Sequence, residues 1–222
     1  FDEWAILGKD AGMEKGHHAS VSHMLKIIFY EYEKKKKKYS AIDFEARGFR
    51  EDGTDEPIQL GMASMYGLEI RKESFYRSFI SPNKERLIEK STNQIHRITD
   101  LDLKNAPKLN ELWPTINKAL SSKVVVAHGA GTEKRFLRAF PMHGFKPWID
   151  TLQLARKIIP KAKDHSLGAL IDEIDAHEEI KAYCPDLCWH DALFDSVASL
   201  VLLKELLKRV RENTIYQEIM QF

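Results

Sequence analysis

In residues 39–46, apolar and β-prone residues surround two carboxylates, a pattern that predicts a strand. In a strand, Ile42 and Phe44 would face one side of the sheet. Asp43 and Glu45 would face the other side, because successive residues of a strand point in opposite directions. Together with the two apolar stretches that follow, the pattern predicts three consecutive antiparallel strands, over residues 39–46, 58–65 and 68–80.

Helical spacing of apolar residues dominates the rest of the chain. It predicts helices over residues 91–98, 106–120, 133–140, 151–159, 165–174 and 191–210. Pro114 falls inside the second of these helices and is expected to kink it. The continuous apolar run 124–127 predicts a strand buried on both faces, and 148–150 predicts a short strand. This order predicts an α/β fold, with a mixed sheet of three antiparallel and then two parallel strands flanked by helices.

Composition narrows the class of protein. The chain has 222 residues, of which 43% are hydrophobic and 30% charged, as in globular proteins. Its formal net charge is +1, so binding to nucleic acid would need a local basic patch. It contains no apolar run long enough to span a membrane and no secretory signal at its start. Two cysteines, Cys184 and Cys188, fit no standard zinc spacing with His177 and His190, which predicts buried free thiols. So few cysteines also predict a reducing, cytoplasmic setting.

The domain organisation predicted from these patterns has three parts. Residues 1–38 form an N-terminal helical extension, 39–212 the main domain, and 213–222 a C-terminal tail. The lysine run 34–38 is expected to be a solvated helix end, with a phosphate-contacting arm as the alternative. The extension is the expected place for a protein partner.

Acidic residues recur at positions where the predicted elements could bring them together. Asp43 and Glu45 share one strand face, and two such acids are either solvated or held by a cation. Glu133 lies in the first turn of the helix that follows the buried strand 124–127. Asp195 follows His190 by five residues, a rotation of about 140° on a helix. We therefore expect His190 in the loop before the last helix, with Asp195 in its first turns.

Five short motifs occur in order between residues 39 and 210. They are Asp43-x-Glu45 with Gly48, residues 96–99 with 106–107, residues 126–137, residues 149–152 with 165–167, and His190-x-Ala192-x-x-Asp195. In this order they resemble the DEDDh 3′–5′ exonucleases. That superfamily has a ribonuclease H-like fold and includes polymerase proofreading subunits such as the DNA polymerase III epsilon subunit.

The resemblance implies a ribonuclease H-like domain in which four acids hold two divalent metal ions, Mg²⁺ or Mn²⁺. The implied metal ligands are Asp43, Glu45, Glu133 and Asp195. His190 is the implied general base, since an imidazole can accept a proton near neutral pH.

The implied reaction is hydrolysis of phosphodiester bonds at single-stranded or frayed 3′ ends, with release of nucleoside 5′-monophosphates. DNA is favoured as the substrate. The alternatives are an RNA-trimming exoribonuclease, which would use the same acids, and a catalytically weak module that binds nucleic acid or a partner.

The chain departs from the family pattern at a few positions. Glu133 stands where the family usually has Asp, which keeps the charge and adds a methylene. Gly129 replaces the usual Asn, and Thr132 replaces the usual Phe. His96 and His128 are expected to support the structure rather than to catalyse. Two bound metal ions are still expected despite these changes. The contacts with the substrate, and the preference for one kind of strand, are expected to differ from those of the family.

Overall fold

A computed structural model describes residues 37–48, 55–82 and 94–212. The chain forms a five-stranded sheet with the order β3-β2-β1-β4-β5. Strands β1 to β3 pair antiparallel, whereas β1, β4 and β5 pair parallel, which confirms the predicted mixed sheet. The strands are β1 Lys38–Ala46, β2 Pro57–Tyr66, β3 Glu69–Phe79, β4 Val124–Ala127 and β5 Trp148–Asp150. Most of the extension and the whole C-terminal tail lie outside the described residues.

Helices cover both faces of this sheet. They are α1 Asp100–Leu103, a 3₁₀ helix Leu109–Leu112, α2 Trp113–Leu120, α3 Gly131–Leu137, α4 Thr151–Ile158, α5 Leu167–Glu173, α6 His177–Tyr183 and α7 Ala192–Glu212. Within the described residues, none of these helices is long and apolar enough to cross a membrane. Of the helix predicted over 91–98, the structure describes only the second part, in which 94–96 are helical.

The single helix predicted over 106–120 is wrong. The backbone N–H of Ser81 donates a hydrogen bond of 2.8 Å to the carbonyl of Pro107, and Ser81 forms a parallel bridge with Lys108. This pairing holds the segment before Leu109 extended, so the helical turns begin only there. Pro114 then lies in the first turn of α2, where a missing N–H breaks no helical hydrogen bond and no interior kink results.

Each face of the sheet has its own hydrophobic core. On one face, Tyr39 and Ala41 of β1 and Val126 of β4 pack against α4, α5, α6 and α7. On the other face, Ile42 and Phe44 pack against α2 and α3. The odd-numbered residues of β1 therefore face α7, and the carboxylates of this strand are on that side.

Gly61 in β2 allows α7 to lie directly on the sheet. A Cβ atom at this position would be 2.0 Å from the carbonyl carbon of Ala192, which is far inside van der Waals contact. The hydroxyl of Ser196 donates a 3.0 Å hydrogen bond to the carbonyl of Gly61. Because Gly61 pairs with Asp43 of β1, this contact brings the start of α7 next to the β1 carboxylates.

We expect Gly61→Ala to destabilise the domain by about 1–3 kcal/mol or more, because the added methyl group meets backbone atoms that cannot rotate away. Urea denaturation followed by circular dichroism measures this change. Gly131→Ala is the matched control, since a Cβ atom there meets nothing within 4 Å. Equal loss of stability in both variants would contradict the steric explanation.

Candidate functional site

The first two acids lie at the C-terminal end of β1. Asp43 and Glu45 are both half-buried, and they project from the face on which α7 packs. The ends of β1 and β4 meet at this edge because the two strands run parallel. The structure therefore brings the Asp-x-Glu motif to the edge of the sheet where the loops after parallel strands lie.

The start of α7 supplies the next two side chains. His190 lies in the preceding loop with a left-handed backbone, φ 66°, and its side chain is exposed. Asp195 is in the first turn of α7 and is half-buried. One ligand atom from each of Glu45, His190 and Asp195 lies within 4.8 Å of the other two. The predicted placement of His190 before the helix is confirmed.

Asp191, a residue that the sequence analysis did not select, fixes this loop. Its buried carboxylate accepts hydrogen bonds from Nε of Arg77 at 2.6 Å, from Nε2 of Gln59 at 3.1 Å and from the backbone N–H of Leu193 at 3.1 Å. Oε1 of Gln59 accepts a 2.8 Å bond from the N–H of Ala192. We call Gln59, Arg77 and Asp191 the helix clamp. An Asp directly before a helix is a common N-cap, and that signal was available in the sequence.

Glu133 approaches the acids from α3. Its side chain is 4% exposed, and its Oε2 atom is buried without a hydrogen-bond partner. The loop before α3 is held by Asp150, whose carboxylate accepts hydrogen bonds from the backbone N–H groups of Gly129 and Ala130 at 3.0 and 3.1 Å. The same carboxylate caps α4. The loop that leads from β4 to Glu133 is thus tied to the end of β5.

The carboxylates repel one another in a partly dry setting. Burial, and then repulsion from Asp195 and Glu133, raise the pKa of Asp43 well above its ordinary value. Burial, followed by repulsion from Asp195, raises the pKa of Glu45 to about 8. Burial raises the pKa of Asp195 to about 7, although a backbone hydrogen bond from His190 opposes the shift.

The same effects act on Glu133. Burial raises its pKa to about 7, and the Asp150 carboxylate adds to the increase while Arg135 and Lys134 reduce it. Repulsion from Glu133 is in turn one of the smaller causes of the raised pKa values of Asp43 and Glu45, after burial and Asp195.

These residues fit a divalent metal ion. Oε2 of Glu133 and Oδ1 of Asp195 are buried polar atoms that have no hydrogen-bond partner, although such atoms are almost always paired. Several carboxylates share one small region, and hard cations prefer oxygen ligands. Asp43, Glu45, Glu133 and Asp195 could therefore hold such an ion, whose charge would offset their repulsion.

The cluster that contains Glu45, His190 and Asp195 does not include His96, His128 or either cysteine. The His128 ring nitrogens lie 3.0 Å from the hydroxyl of Thr151 and 2.9 Å from the carbonyl of His165, so the ring is fully paired within the fold. Nδ1 of the buried His96 accepts a 3.0 Å bond from the N–H of Ile98, while its Nε2 has no partner. Cys184 and Cys188 are free, and among the described residues neither belongs to a cluster of possible metal ligands. Cys184 is buried as predicted, but the predicted burial of Cys188 is wrong, because it lies exposed in the loop before α7.

We expect the metal-free domain to lose stability as the pH rises. Folding raises the pKa of Glu45 to about 8 and those of Glu133 and Asp195 to about 7, from ordinary values of 4.5, 4.5 and 3.8. The folded state therefore binds more protons than the unfolded state, and its stability falls from about pH 4 through pH 8. Thermal unfolding in EDTA between pH 5 and pH 8.5 measures the slope.

The matching arm of this experiment adds Mn²⁺. The ion should raise the melting temperature strongly at pH 8.5 and little at pH 5, because protonated carboxyl groups bind cations poorly. A metal-free melting temperature that stays constant over this range would contradict the expected repulsion.

Comparison with known families and structures places this geometry in context. The family model RNase_T, described as Exonuclease, matches residues 40–203. This range contains both strand acids, Glu133, His190 and Asp195.

The curated relatives include replicative polymerases. A DNA polymerase III PolC-type from Thermotoga maritima is 30% identical over 141 residues, which are 61% of this chain and 10% of the relative. The PolC-type polymerase of Bacillus cereus is 28% identical over 180 residues, 79% of this chain and 12% of the relative. The chain thus spans about a tenth of the length of these relatives.

Solved structures share the fold. Exonuclease X in complex with 5′ overhanging duplex DNA superposes with a TM-score of 0.61 at 23% identity, over 77% of this chain and 91% of that one. The nuclease domain of 3′hExo, a DEDDh family member bound to rAMP, has a TM-score of 0.63 at 13% identity, over 78% and 92% of the two chains. Escherichia coli exonuclease I with a dT13 oligonucleotide has a TM-score of 0.61 at 14% identity, over 82% of this chain and 43% of that one.

Proposed function

Since the chain belongs to the exonuclease family described by the RNase_T model, we propose that it is a metal-dependent 3′–5′ exonuclease that releases nucleoside 5′-monophosphates. The observation that carries this proposal is the convergence of side chains from β1 and the start of α7. Ligand atoms of Glu45, His190 and Asp195 lie within 4.8 Å of one another there. A binding module would have no need for this group of mutually repelling acids.

The proposed site residues have two kinds of role, metal binding and proton transfer. Asp43, Glu45, Glu133 and Asp195 hold two divalent ions, Mg²⁺ or Mn²⁺. Such ions supply Lewis acidity and charge neutralisation for phosphodiester hydrolysis. Bound cations would also offset the repulsion between these carboxylates and the scissile phosphate.

His190 accepts the proton of the attacking water. Its exposed ring is held over the acids by the left-handed loop at the start of α7, so it can reach a water that enters from solvent. A positioned general base must lie within hydrogen-bond reach of the proton that it removes. The helix clamp supports this role, since Asp191 adjoins His190 and is bonded to both β2 and β3.

DNA is the proposed substrate, with single-stranded or frayed 3′ ends as the site of attack. The curated PolC-type relatives are DNA polymerases, and exonuclease X and exonuclease I were solved with DNA. The second candidate is RNA, which is supported by a neighbour bound to rAMP and by a 3′-exonuclease that recognises a histone mRNA stem-loop.

Matched DNA and RNA oligomers labelled at their 5′ ends test both candidates. With Mg²⁺ or Mn²⁺, we expect a ladder of products that shorten from the 3′ end, together with nucleoside 5′-monophosphates. Faster degradation of the DNA would support DNA as the substrate, and faster degradation of the RNA would support the second candidate. Full activity in excess EDTA, or the absence of monophosphate, would contradict the proposed enzyme.

Glu133 gives a separate prediction, because it stands where the family has Asp. Glu133→Gln keeps the size of the side chain and removes its charge, so we expect a strong loss of activity with little loss of stability. Glu133→Asp restores the family residue and should retain measurable activity. Oligonucleotide hydrolysis rates and melting temperatures of both variants check this. If Glu133→Gln is as active as the parent, Glu133 is not part of the metal site.

A further inference from the structure

A cavity of about 440 Å³ is lined by none of the proposed catalytic residues. We call it the basic cavity, and its lining includes His128, Leu152, Arg156, Lys163, Asp164 and His165. Its volume lies within the range of about 300–1,000 Å³ that is usual for ligand sites. Nothing in the reaction described above uses this space.

The strand register places His128, which lines the basic cavity, beside Asp43. Ala41 of β1 pairs with Val126 of β4, and both residues pack in the core beneath α7. Asp43, still within β1, and His128, the first residue after β4, each follow two residues later, so the same register places them at adjacent positions. Adjacent strands lie about 4.8 Å apart. The cavity therefore begins about one strand away from the proposed metal ligands.

Hydrogen bonds within the fold hold the inner wall of the cavity in place. Both His128 nitrogens are paired, with Thr151 and with the carbonyl of His165. The His165 ring lies 3.1 Å from the carbonyl of Ile159. Burial lowers the pKa of His128, which keeps its ring neutral near pH 7. Any attraction of the cavity for a charged ligand must therefore come from the charged side chains at its rim.

Arg156 and Lys163 supply that charge. Both side chains are exposed, and in the part of the chain that the structure describes neither has an ion-pair partner. Asp164 adds one negative charge, but its two oxygens accept bonds of 2.8 and 2.9 Å from the N–H and the hydroxyl of Ser166. Among the lining residues, two side chains of fixed positive charge, Arg156 and Lys163, face the single carboxylate of Asp164. The rim is therefore net positive.

We propose that the basic cavity binds a backbone phosphate of the nucleic-acid strand, on the 5′ side of the nucleotide that is removed. This rests on the proposed exonuclease function, because it assumes that a strand occupies the neighbouring catalytic site. Arg156 contacts the phosphate oxygens through its planar guanidinium, and Lys163 contributes a second positive charge. The contact is independent of base sequence, because phosphate contacts carry no sequence information.

Equilibrium binding tests the proposal without catalysis. Anisotropy of a fluorescein-labelled oligothymidylate is measured in EDTA over a range of KCl concentrations. Arg156→Gln/Lys163→Gln should weaken binding about tenfold and reduce the slope of log K against log salt by about 0.7–1.4, the value for one or two contacts with a single strand. Lys157→Gln/Lys161→Gln is the matched control, since both lysines are exposed on the same segment and neither lines the cavity.

Kinetics separate this subsite from the catalytic site. The cavity variant should raise KM for the oligothymidylate about tenfold with kcat unchanged. It should hydrolyse the p-nitrophenyl ester of thymidine 5′-monophosphate like the parent, because that substrate has no upstream phosphate. Equal losses in the control variant, an unchanged KM, or an equal loss on the ester would each overturn the proposal. A parent that hydrolyses neither substrate would instead refute the exonuclease function, and the binding assay would still decide whether the cavity holds the strand.

Discussion

Asp195→Asn is expected to lower the rate of oligonucleotide hydrolysis by at least about 10³-fold. Loss of a carboxylate that holds a catalytic cation removes several kcal/mol of transition-state stabilisation, and each 1.4 kcal/mol corresponds to about tenfold in rate. The same change should leave the metal-free domain at least as stable as the parent at pH 8. Burial has already raised the pKa of Asp195 to about 7, so its negative charge is unfavourable to the fold.

This combination of a large catalytic loss and retained stability separates a functional acid from a structural one. Hydrolysis of a labelled oligomer with Mn²⁺ gives the rate, and urea denaturation in EDTA gives the free energy of unfolding. Asp186→Asn is the matched control, because Asp186 is exposed in the loop between α6 and α7. If Asp195→Asn unfolds the domain, or if it hydrolyses oligomers at the parental rate, Asp195 is not the proposed ligand.

His190→Gln should have the second largest effect, a loss of about 10²–10⁴-fold in the rate of the chemical step. The loss should be greatest near neutral pH and should shrink at high pH, where hydroxide replaces the missing base. Single-turnover hydrolysis measures this step without product release. His177→Gln is the control, because His177 lies in α6 and bonds to Asp172 rather than to the site.

Metal affinity decides which role His190 has. Its ring is close enough to Glu45 and Asp195 to join them around one ion. Calorimetric titration with Mn²⁺ should nevertheless show nearly parental affinity for His190→Gln, since a general base contacts the water and not the cation. A loss of affinity as large as that of Asp195→Asn would make His190 a ligand and leave the base unassigned.

Local patterns explain why so much of the sheet was predictable. Strand β1 alternates apolar and acidic positions, and β4 is a continuous apolar run, so both can be recognised from a few adjacent residues. The acids of β1 and the His190–Asp195 spacing were also visible in the sequence. Helix α6 was missed because it is short and only Ile180 is buried, which leaves no periodic apolar face.

Contacts between distant parts of the chain were not predictable in this way. The helix expected from residue 106 begins later because Ser81 pairs with Pro107 and Lys108. Gly61 reads as an ordinary strand glycine, although it determines how closely α7 approaches the sheet. Asp191 could be recognised as a helix cap, but nothing local indicates its bonds to Gln59 and Arg77.

The helix clamp also determines when the proposed catalytic centre can form. Gln59 exchanges hydrogen bonds with Asp191 and Ala192, which lie 132 and 133 positions further along the chain. The bond between Ser196 and Gly61 joins residues that are 135 positions apart. Contacts of such large sequence separation require closure of long loops, which slows folding. During synthesis, the β1 acids therefore emerge long before the histidine and aspartate that complete the centre. If the proposed function is correct, a ribosome-bound chain lacking α7 would be unable to cut nucleic acid. It would become active only when the last helix docks on β2.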